Sequence, residues 1–138
     1  MLPPMESIVT RDDLQVIGVR CADRIEEIQQ IWPRLEEIVG PLHGRRFFGA
    51  MYAEPREYRA CVRVEPDDDP AALGLEPFTL PGGRYVRLTL VGAPPELYGQ
   101  IGPSFMELVE RHQDWDQSRP GIEYYRRRNE IDLLLPIP

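Results

Sequence analysis

Residues 30–39, QIWPRLEEIV, and residues 100–109, QIGPSFMELV, carry one pattern twice in a chain of 138 residues. Identical residues occur at one constant shift: Gln30/Gln100, Ile31/Ile101, Pro33/Pro103, Glu37/Glu107 and Val39/Val109. Chance is a poor explanation for this agreement. The chain is therefore interpreted as an internal duplication, and the rest of the sequence is best understood as two related halves.

Both copies are predicted to lie in amphipathic helices. Apolar residues recur at helical spacing in each copy, at Ile25, Ile28, Trp32, Leu35 and Val39 and again at Leu97, Ile101, Phe105 and Leu108. Pro33 and Pro103 each remove an internal hydrogen bond. We therefore expect each helix to kink at its proline or to begin a second segment there.

One strand pattern precedes each helix and two follow it. The segments are 14–21, 45–54 and 57–64 in the first half, and 84–91, 121–128 and 131–137 in the second. The order is therefore βαββ twice, within a single domain that spans 1–138. The halves cover about 14–66 and 77–138, and the acidic segment 67–76 is expected to link them.

Two βαββ units with one apolar helix stripe each favour an α+β fold. We expect a mainly antiparallel sheet with two helices on one face, and a pseudo-two-fold axis that relates the halves. Neither unit buries enough surface alone, so the halves should share a core. A ligand groove is expected between them, because binding sites favour such junctions.

Composition excludes several function classes. The formal net charge is -7 and the pI is near 4.9, which argues against direct nucleic-acid binding, because phosphate recognition draws on clustered Lys and Arg. No apolar run approaches the roughly 20 residues that cross a bilayer, so no membrane association is expected. Cys21 and Cys61 lack CxxC spacing and follow no signal-peptide pattern, which is typical of reduced cysteines in a cytoplasmic protein.

Residues of common metal and catalytic sites are sparse. The two histidines, His43 and His112, are far apart in sequence, so no metal site and no cofactor are predicted. His43 falls in a turn-like stretch, and His112 lies on the apolar stripe at the end of the second helix. Ser104 and Ser118 lack a nucleophile elbow, which argues against acyl transfer.

Glu123 lies among apolar and aromatic residues in the closing segment PGIEYYRRRNEIDLLLPIP (120–138). Strand alternation places Ile122 and Tyr124 on one face, and Glu123 and Tyr125 on the other. The apolar face of 131–137 should join Ile122 and Tyr124 against the helices, so Glu123 is predicted to point away from the helix layer. That side is either solvent or a covered face or groove, because FFGAMYA (47–53) is apolar on both of its faces.

A second constant shift pairs Gly49 with Gly121 and places Met51 opposite Glu123 across the pseudo-two-fold axis. The candidate ligand-binding residues are Glu123, Tyr125, Met51, Phe47, Trp32 and Trp115. One carboxylate among a thioether and aromatic rings suits a lipophilic cation. In the empty site Glu123 should be protonated more readily than usual or be held by a tyrosine hydroxyl. Trp32 and Trp115 each have an alternative to a place over the groove. Trp32 could pack in the core, and Trp115 could pack at a sheet edge.

Five motifs span nearly the whole chain in a fixed order: VIGVR (16–20), YRACVRVEPDD (58–68), LPGGRYVRLTLVGAPPELYGQIGPSF (80–105), PGIEYY (120–125) and NEIDLLLPI (129–137). Together they resemble the GyrI-like small-molecule-binding domains, which also form the effector-binding domains of AraC-type regulators. Ala93 stands where a glycine-proline pair is usual in that family. Because the first strand is predicted near Leu14, a stand-alone member is expected.

The resemblance implies a duplicated βαββ fold with a groove between the halves. It also implies a functional glutamate at Glu123, with Tyr125 as the tyrosine of a Glu-x-Tyr pattern. The expected function is the binding of bulky lipophilic small molecules, cationic or aromatic. Two alternatives stay open: a hydrolase of cyclopropane-type electrophiles that uses Glu123 and Tyr125, and a protein-interaction module of the gyrase-inhibitor type. The sequence does not fix the oligomeric state.

Overall fold

The computed structural model describes residues 6–40 and 44–138, so His43 lies outside the described residues. Both βαββ units are present, which confirms the predicted order. The elements are β1 (Glu6–Arg11), β2 (Leu14–Ala22), α1 (Ile25–Val39), β3 (Phe47–Tyr52), β4 (Glu57–Arg63), α2 (Pro70–Leu73), β5 (Glu76–Leu80), β6 (Gly83–Val91), α3 (Glu96–Gly99), α4 (Ile101–Arg111), β7 (Gly121–Arg127) and β8 (Glu130–Pro136).

The strands form one eight-stranded antiparallel sheet in the order β1-β6-β8-β7-β3-β4-β2-β5. The halves meet where β3 pairs with β7. Gly49 lies opposite Glu123 there, and Met51 lies opposite Gly121. These two pairs exchange under the pseudo-two-fold operation, so Glu123 and Met51 occupy equivalent places, as predicted.

Two strands were not predicted from the sequence. β1 precedes Leu14 and pairs with β6 at one edge of the sheet, so the expectation that the first strand begins near Leu14 is wrong. β5 pairs with β2 at the other edge. In β1 the side chains alternate between exposed and half-buried, and such a weakly buried edge strand gives little apolar signal.

Each long helix covers its own half of one sheet face. α1 packs through Ile31 and Leu35 on a first-half cluster that includes Val19, Phe47, Tyr58, Ala60 and Val62. α4 packs through Ile101, Phe105 and Leu108 on a second-half cluster that includes Leu88, Ile131, Leu133 and Leu135. Cross-strand pairing places one row of residues on this face: Leu88, Leu133, Glu123, Gly49, Ala60 and Val19. Both helices therefore lie on the same face, and Glu123 lies midway between the clusters.

The two prolines of the repeat act differently. Pro33 lies inside α1, which is assigned as one helix from Ile25 to Val39. In the second half the helix is divided, because α3 ends at Gly99 and α4 begins at Ile101. Pro103 therefore falls in the first turn of α4, where a missing N–H is tolerated.

The other face of the sheet is buried by the curl of the sheet itself. Two-residue connections join β1 to β2 and β5 to β6, strands that lie six positions apart in the sheet order. Six spacings of a flat sheet measure ~29 Å, whereas two linking residues span at most ~11 Å. The sheet therefore curls until its edges approach. A sheet-interior cluster fills the curl: Val16, Phe48, Ala50, Cys61, Leu80, Tyr85, Ile122 and Leu134.

Glu123 points toward the helix layer, which corrects the sequence prediction. Its cross-strand partner is Leu133, which belongs to the second-half cluster under α4. Ile122 and Tyr124 lie on the opposite face, where Ile122 is part of the sheet-interior cluster and Tyr124 packs against it.

A β-bulge is the reason for this difference. The pairing of β7 with β8 changes register between Tyr125 and Arg127. One extra residue shifts a strand by one position, and such a shift exchanges its two faces. A hairpin without the bulge would have placed Ile122 on the helix face, as the alternation predicted.

Leu134→Ala tests whether the sheet interior is a true core. Leu134 is fully buried, so its truncation should lower the free energy of unfolding by about 2–4 kcal/mol. Urea denaturation measures the effect. Val91→Ala is the control, because Val91 is 65% exposed and its truncation should cost less than ~0.5 kcal/mol. Equal, small effects at both positions would mean that the second face is solvated.

Candidate functional site

Glu123 is a buried carboxylate at the join of the two halves, with 4% of its surface exposed. The hydroxyl of Tyr58 donates to its Oε1 at 2.7 Å, and the hydroxyl of Tyr125 donates to the same oxygen at 2.6 Å. Nε1 of Trp32 donates to the Tyr58 hydroxyl at 3.1 Å. A hydrogen-bond chain therefore connects α1, β4 and β7 through one carboxylate.

Gly49 makes the space that this arrangement needs. A Cβ atom at Gly49 would lie 2.2 Å from the Tyr58 hydroxyl and 2.4 Å from Oε1 of Glu123. Both distances are far inside van der Waals contact, so any side chain at Gly49 would displace the Tyr58–Glu123 hydrogen bond. The sequence carries the matching glycine, Gly121, at the equivalent place in the other half.

Burial and hydrogen bonding act on Glu123 in opposite directions. Removal from water raises the pKa of Glu123, and the two phenol hydrogen bonds offset part of that rise. The pKa values of Tyr58 and Tyr125 lie well above 10, first because of burial and then because of the Glu123 charge. Both phenols stay protonated at neutral pH and remain donors. The prediction of easier protonation or a tyrosine partner is confirmed in both of its parts.

Aromatic rings flank the carboxylate. The Trp32 and Tyr125 rings meet edge to face at 5.1 Å between centroids, and Tyr98 approaches Tyr125 at 6.3 Å. Tyr98 is 40% exposed, while Trp32, Tyr125 and Met51 are half-buried. Among the described residues, α1 and α4 pack on the sheet and make no extensive contact with each other. We refer to the part of the sheet between α1 and the α3–α4 segment as the central groove. Met51 and Glu123 lie on the sheet there, and the rings of Trp32, Tyr98 and Tyr125 lie beside them.

The structure brings together four of the six candidate residues, Glu123, Tyr125, Trp32 and Met51. Met51 and Tyr125 pack against both the first-half and the second-half clusters. Phe47 is buried behind Trp32, with 6.2 Å between their ring centroids, and it supports that ring from the core. Trp115 follows α4 and packs against the second-half cluster. It is absent from the ring pairs described at Trp32 and Tyr125.

Sequence reasoning missed Tyr58, Tyr98 and Gly49 as members of the site. Alternation along EYRACVR could have found Tyr58, because it shares a face with Ala60 and Val62 of the first-half cluster. Tyr98 lies next to Leu97 of the predicted helix stripe, but the helix is divided between Gly99 and Ile101, and this division was not predicted there.

The structure contains a separate cavity of about 350 Å³, lined by residues 44–46 and 63–66. Its lining includes none of the side chains that hold Glu123. Arg45 is paired there with Asp68 at 2.5 Å and lies 3.6 Å from Glu65.

Residues 6–40 and 44–138 contain no cluster of three or more His, Cys, Asp or Glu side chains arranged for a metal ion. Within the same ranges, no helix combines the length and the apolar character that crossing a membrane requires. His112 lies at the end of α4, with Nε2 3.6 Å from a carboxylate oxygen of Glu6. This places it away from the central groove, against the edge strand β1.

Comparison with solved structures shows the fold class. SAV2435 bound to tetraphenylphosphonium is 16% identical, with a TM-score of 0.72 over 97% of this chain and 94% of that one. An integron cassette protein from the mobile metagenome of Vibrio cholerae is 16% identical, with a TM-score of 0.71 over 96% and 95%. A hydrolase from Listeria innocua is 13% identical, with a TM-score of 0.60 over 96% and 91%.

At these identities the likeness shows the fold alone: the chain shares its architecture with these three proteins. Neither a family model nor a curated protein matches its sequence.

Glu123→Gln tests the burial of the carboxylate through pH. Because the pKa of Glu123 is higher in the folded chain than its ordinary value of 4.5, the folded state binds the proton more tightly. The resulting stability is complete below about pH 4.5 and is lost as the pH rises through the folded value. Glutamine does not ionise, so Glu123→Gln should melt at a higher temperature than wild type at pH 7, and the difference should close toward pH 4.

Thermal melts of both proteins between pH 4 and pH 8 make the measurement. Glu110→Gln removes the same formal charge from an exposed position on α4. Its melting temperature should change with pH as that of wild type does. Parallel profiles for Glu123→Gln as well would contradict the assignment of a buried, destabilised carboxylate.

Proposed function

We propose that the central groove binds bulky lipophilic cations through Glu123. The observation that carries the proposal is a single buried carboxylate, fixed by two phenols and flanked by Trp32, Tyr98 and Tyr125. Aromatic faces attract a cation and supply apolar contact area, and the carboxylate supplies the opposite charge. The bound state of SAV2435, a structure of the same fold, supports this class of ligand.

The burial of Glu123 explains why a cation should bind there more tightly than a neutral ligand. In the empty site the carboxylate has no cation beside it, and burial raises its pKa. A cation placed against it stabilises the ionised form, because opposite charges attract strongly where water is excluded. Binding should therefore strengthen as the pH rises through the pKa of Glu123. A neutral ligand of the same shape would lack this contribution and bind more weakly.

A hydrolase in the same groove is the second candidate. The Tyr125 hydroxyl and Oε1 of Glu123 are 2.6 Å apart, and a carboxylate with a raised pKa suits general acid–base chemistry. The likeness to the Listeria innocua hydrolase favours keeping this candidate. Binding is preferred, because both phenols donate to one oxygen and so hold the carboxylate in place.

The proposal includes a cytoplasmic location, supported by the two free thiols. Cys61 is buried in the sheet interior, where burial raises its pKa to about 12 and keeps it an unreactive thiol. Cys21 is half-buried and also unpaired.

Calorimetric titration with tetraphenylphosphonium and the neutral analogue triphenylphosphine oxide tests the binding function. Wild type should bind the cation saturably and prefer it to the neutral compound. Glu123→Gln keeps the shape of the site and should weaken binding of the cation by ~10-fold or more, since a loss of only ~1.4 kcal/mol in binding free energy corresponds to a tenfold loss of affinity. Glu110→Gln is the control for net charge. Equal binding by wild type and Glu123→Gln would contradict the charge role of Glu123.

The hydrolase is tested separately by mass spectrometry of a cyclopropane-bearing electrophile. Hydrolysed product that forms with wild type and is lost with Glu123→Gln and Tyr125→Phe would establish turnover at this site. If wild type neither binds the cation nor forms product, a protein partner becomes the leading interpretation.

A further inference from the structure

The pseudo-two-fold axis relates the two sides of the central groove in backbone but not in chemistry. On one side, the space above Gly49 holds the Tyr58 hydroxyl and the carboxylate of Glu123. On the other side, the space above Gly121 holds the Phe105 ring at 3.3 Å and the Met51 methyl at 3.5 Å from a Cβ built there. One side of the floor is therefore polar and charged, and the equivalent side is apolar.

The two long helices, α1 and α4, also carry different side chains at equivalent positions of the repeat. The repeat aligns Trp32 of α1 with Gly102 of α4, and Glu36 with Met106. Trp32 is half-buried and bonded to Tyr58, whereas Gly102 is exposed. A Cβ atom on Gly102 would have no heavy atom of the described residues within 4 Å. The wall that Trp32 forms in the first half is missing in the second, and open space takes its place.

Helix geometry indicates which flank of α4 borders the groove. Arg111 pairs with Glu6 of β1, the strand at the outer edge of the sheet, so the flank that carries Arg111 faces outward. At 3.6 residues per turn, Gly102 and Met106 project from the opposite flank. Tyr98, just before α4, contacts Tyr125 on that inner side. The inner flank of α4 is thus a glycine followed one turn later by a methionine that is 68% exposed.

Charged residues are also distributed unequally between the two sides of the central groove. On the first-half side, Asp23 adds its negative field to that of Glu123, and α1 carries Glu36 at the position equivalent to Met106. The equivalents on the second-half side are uncharged. A ligand with charge at both ends would place one charge against Met51 and Phe105, where it would lose hydration without gaining a partner.

We propose that the central groove takes its ligand in one orientation, as a monocationic amphiphile. The cationic head lies at Glu123 beside Trp32 and Tyr125, and the apolar tail runs past Met51 along the inner flank of α4 at Gly102 and Met106. The inference rests on the proposed function, since it assumes that Glu123 receives a cation. It adds a direction to the groove and assigns Gly102 and Met106 as residues that determine tail length.

Alkyltrimethylammonium ions with tails from butyl to dodecyl, kept below their micelle concentrations, test the direction by calorimetry. Full burial of one methylene contributes ~0.8 kcal/mol, so an open groove should give roughly twofold tighter binding per methylene over the part of the tail it covers. Gly102→Trp fills the tail path. It should lower the affinity for the dodecyl compound by ~10-fold or more and leave the affinity for the butyl compound within about twofold of the wild-type value.

Gln113→Trp is the matched control, because it adds the same ring at an exposed position beyond α4 without changing charge. Circular dichroism checks that each variant is folded. Met106→Gln, at a position exposed enough to leave the fold intact, is a second variant and should weaken only the long-tailed compounds.

The outcomes separate the two proposals. Affinity that depends on Glu123 but not on tail length would overturn the directed groove and leave the binding function standing. Equal weakening of short and long tails by Gly102→Trp would also overturn it. If wild type binds no cation of either series, the binding function and the directed groove fail together.

Discussion

A carboxylate taken out of water is unfavourable unless it is protonated, hydrogen-bonded or paired, and Glu123 is buried where the two halves join. Tyr58 comes from the first half and Tyr125 from the second, yet both donate to the same oxygen. The stabilisation of the acid therefore also ties the halves together. Because Gly49 leaves the space for this contact, the packing of the domain and the chemistry of its site depend on the same few atoms.

The curl of the sheet explains how the centre of the helix face can remain incompletely packed. The sheet-interior cluster is closed without help from either helix, and each long helix has a cluster of its own. Between them the floor consists of two glycines, Met51 and Glu123, with rings that stay partly exposed. Stability comes mainly from three packed regions around the groove, so an exposed side chain at its edge, such as Tyr98, can change at small cost to the fold.

The duplication and the βαββ order could be predicted from the sequence, because repetition and alternation are visible in the residues themselves. The choice of Glu123 as a ligand-binding residue stays a prediction. The direction of Glu123 could not be predicted, because the bulge between Tyr125 and Arg127 reverses the faces and leaves no distinctive residue pattern. Tyr58 was detectable from alternation but stands far from Glu123 in sequence, and only the register of three strands, β4, β3 and β7, brings them together. Trp115 is a large ring in a polar connector, and it packs against the second-half cluster.

Met51 and Glu123 occupy equivalent positions about the pseudo-two-fold axis, and this equivalence explains how a site with a single charge can arise. In a symmetric pair of separate βαββ chains, any residue at the Glu123 position would appear twice, on either side of the axis. Two carboxylates at such diagonal positions would lie ~7 Å apart in a dry site, where like charges oppose each other's ionisation. Joining the copies into one chain lets the second position become Met51. One charge and two unlike ends in the central groove are thus a consequence of covalent linkage, which identical subunits related by a two-fold axis cannot reproduce.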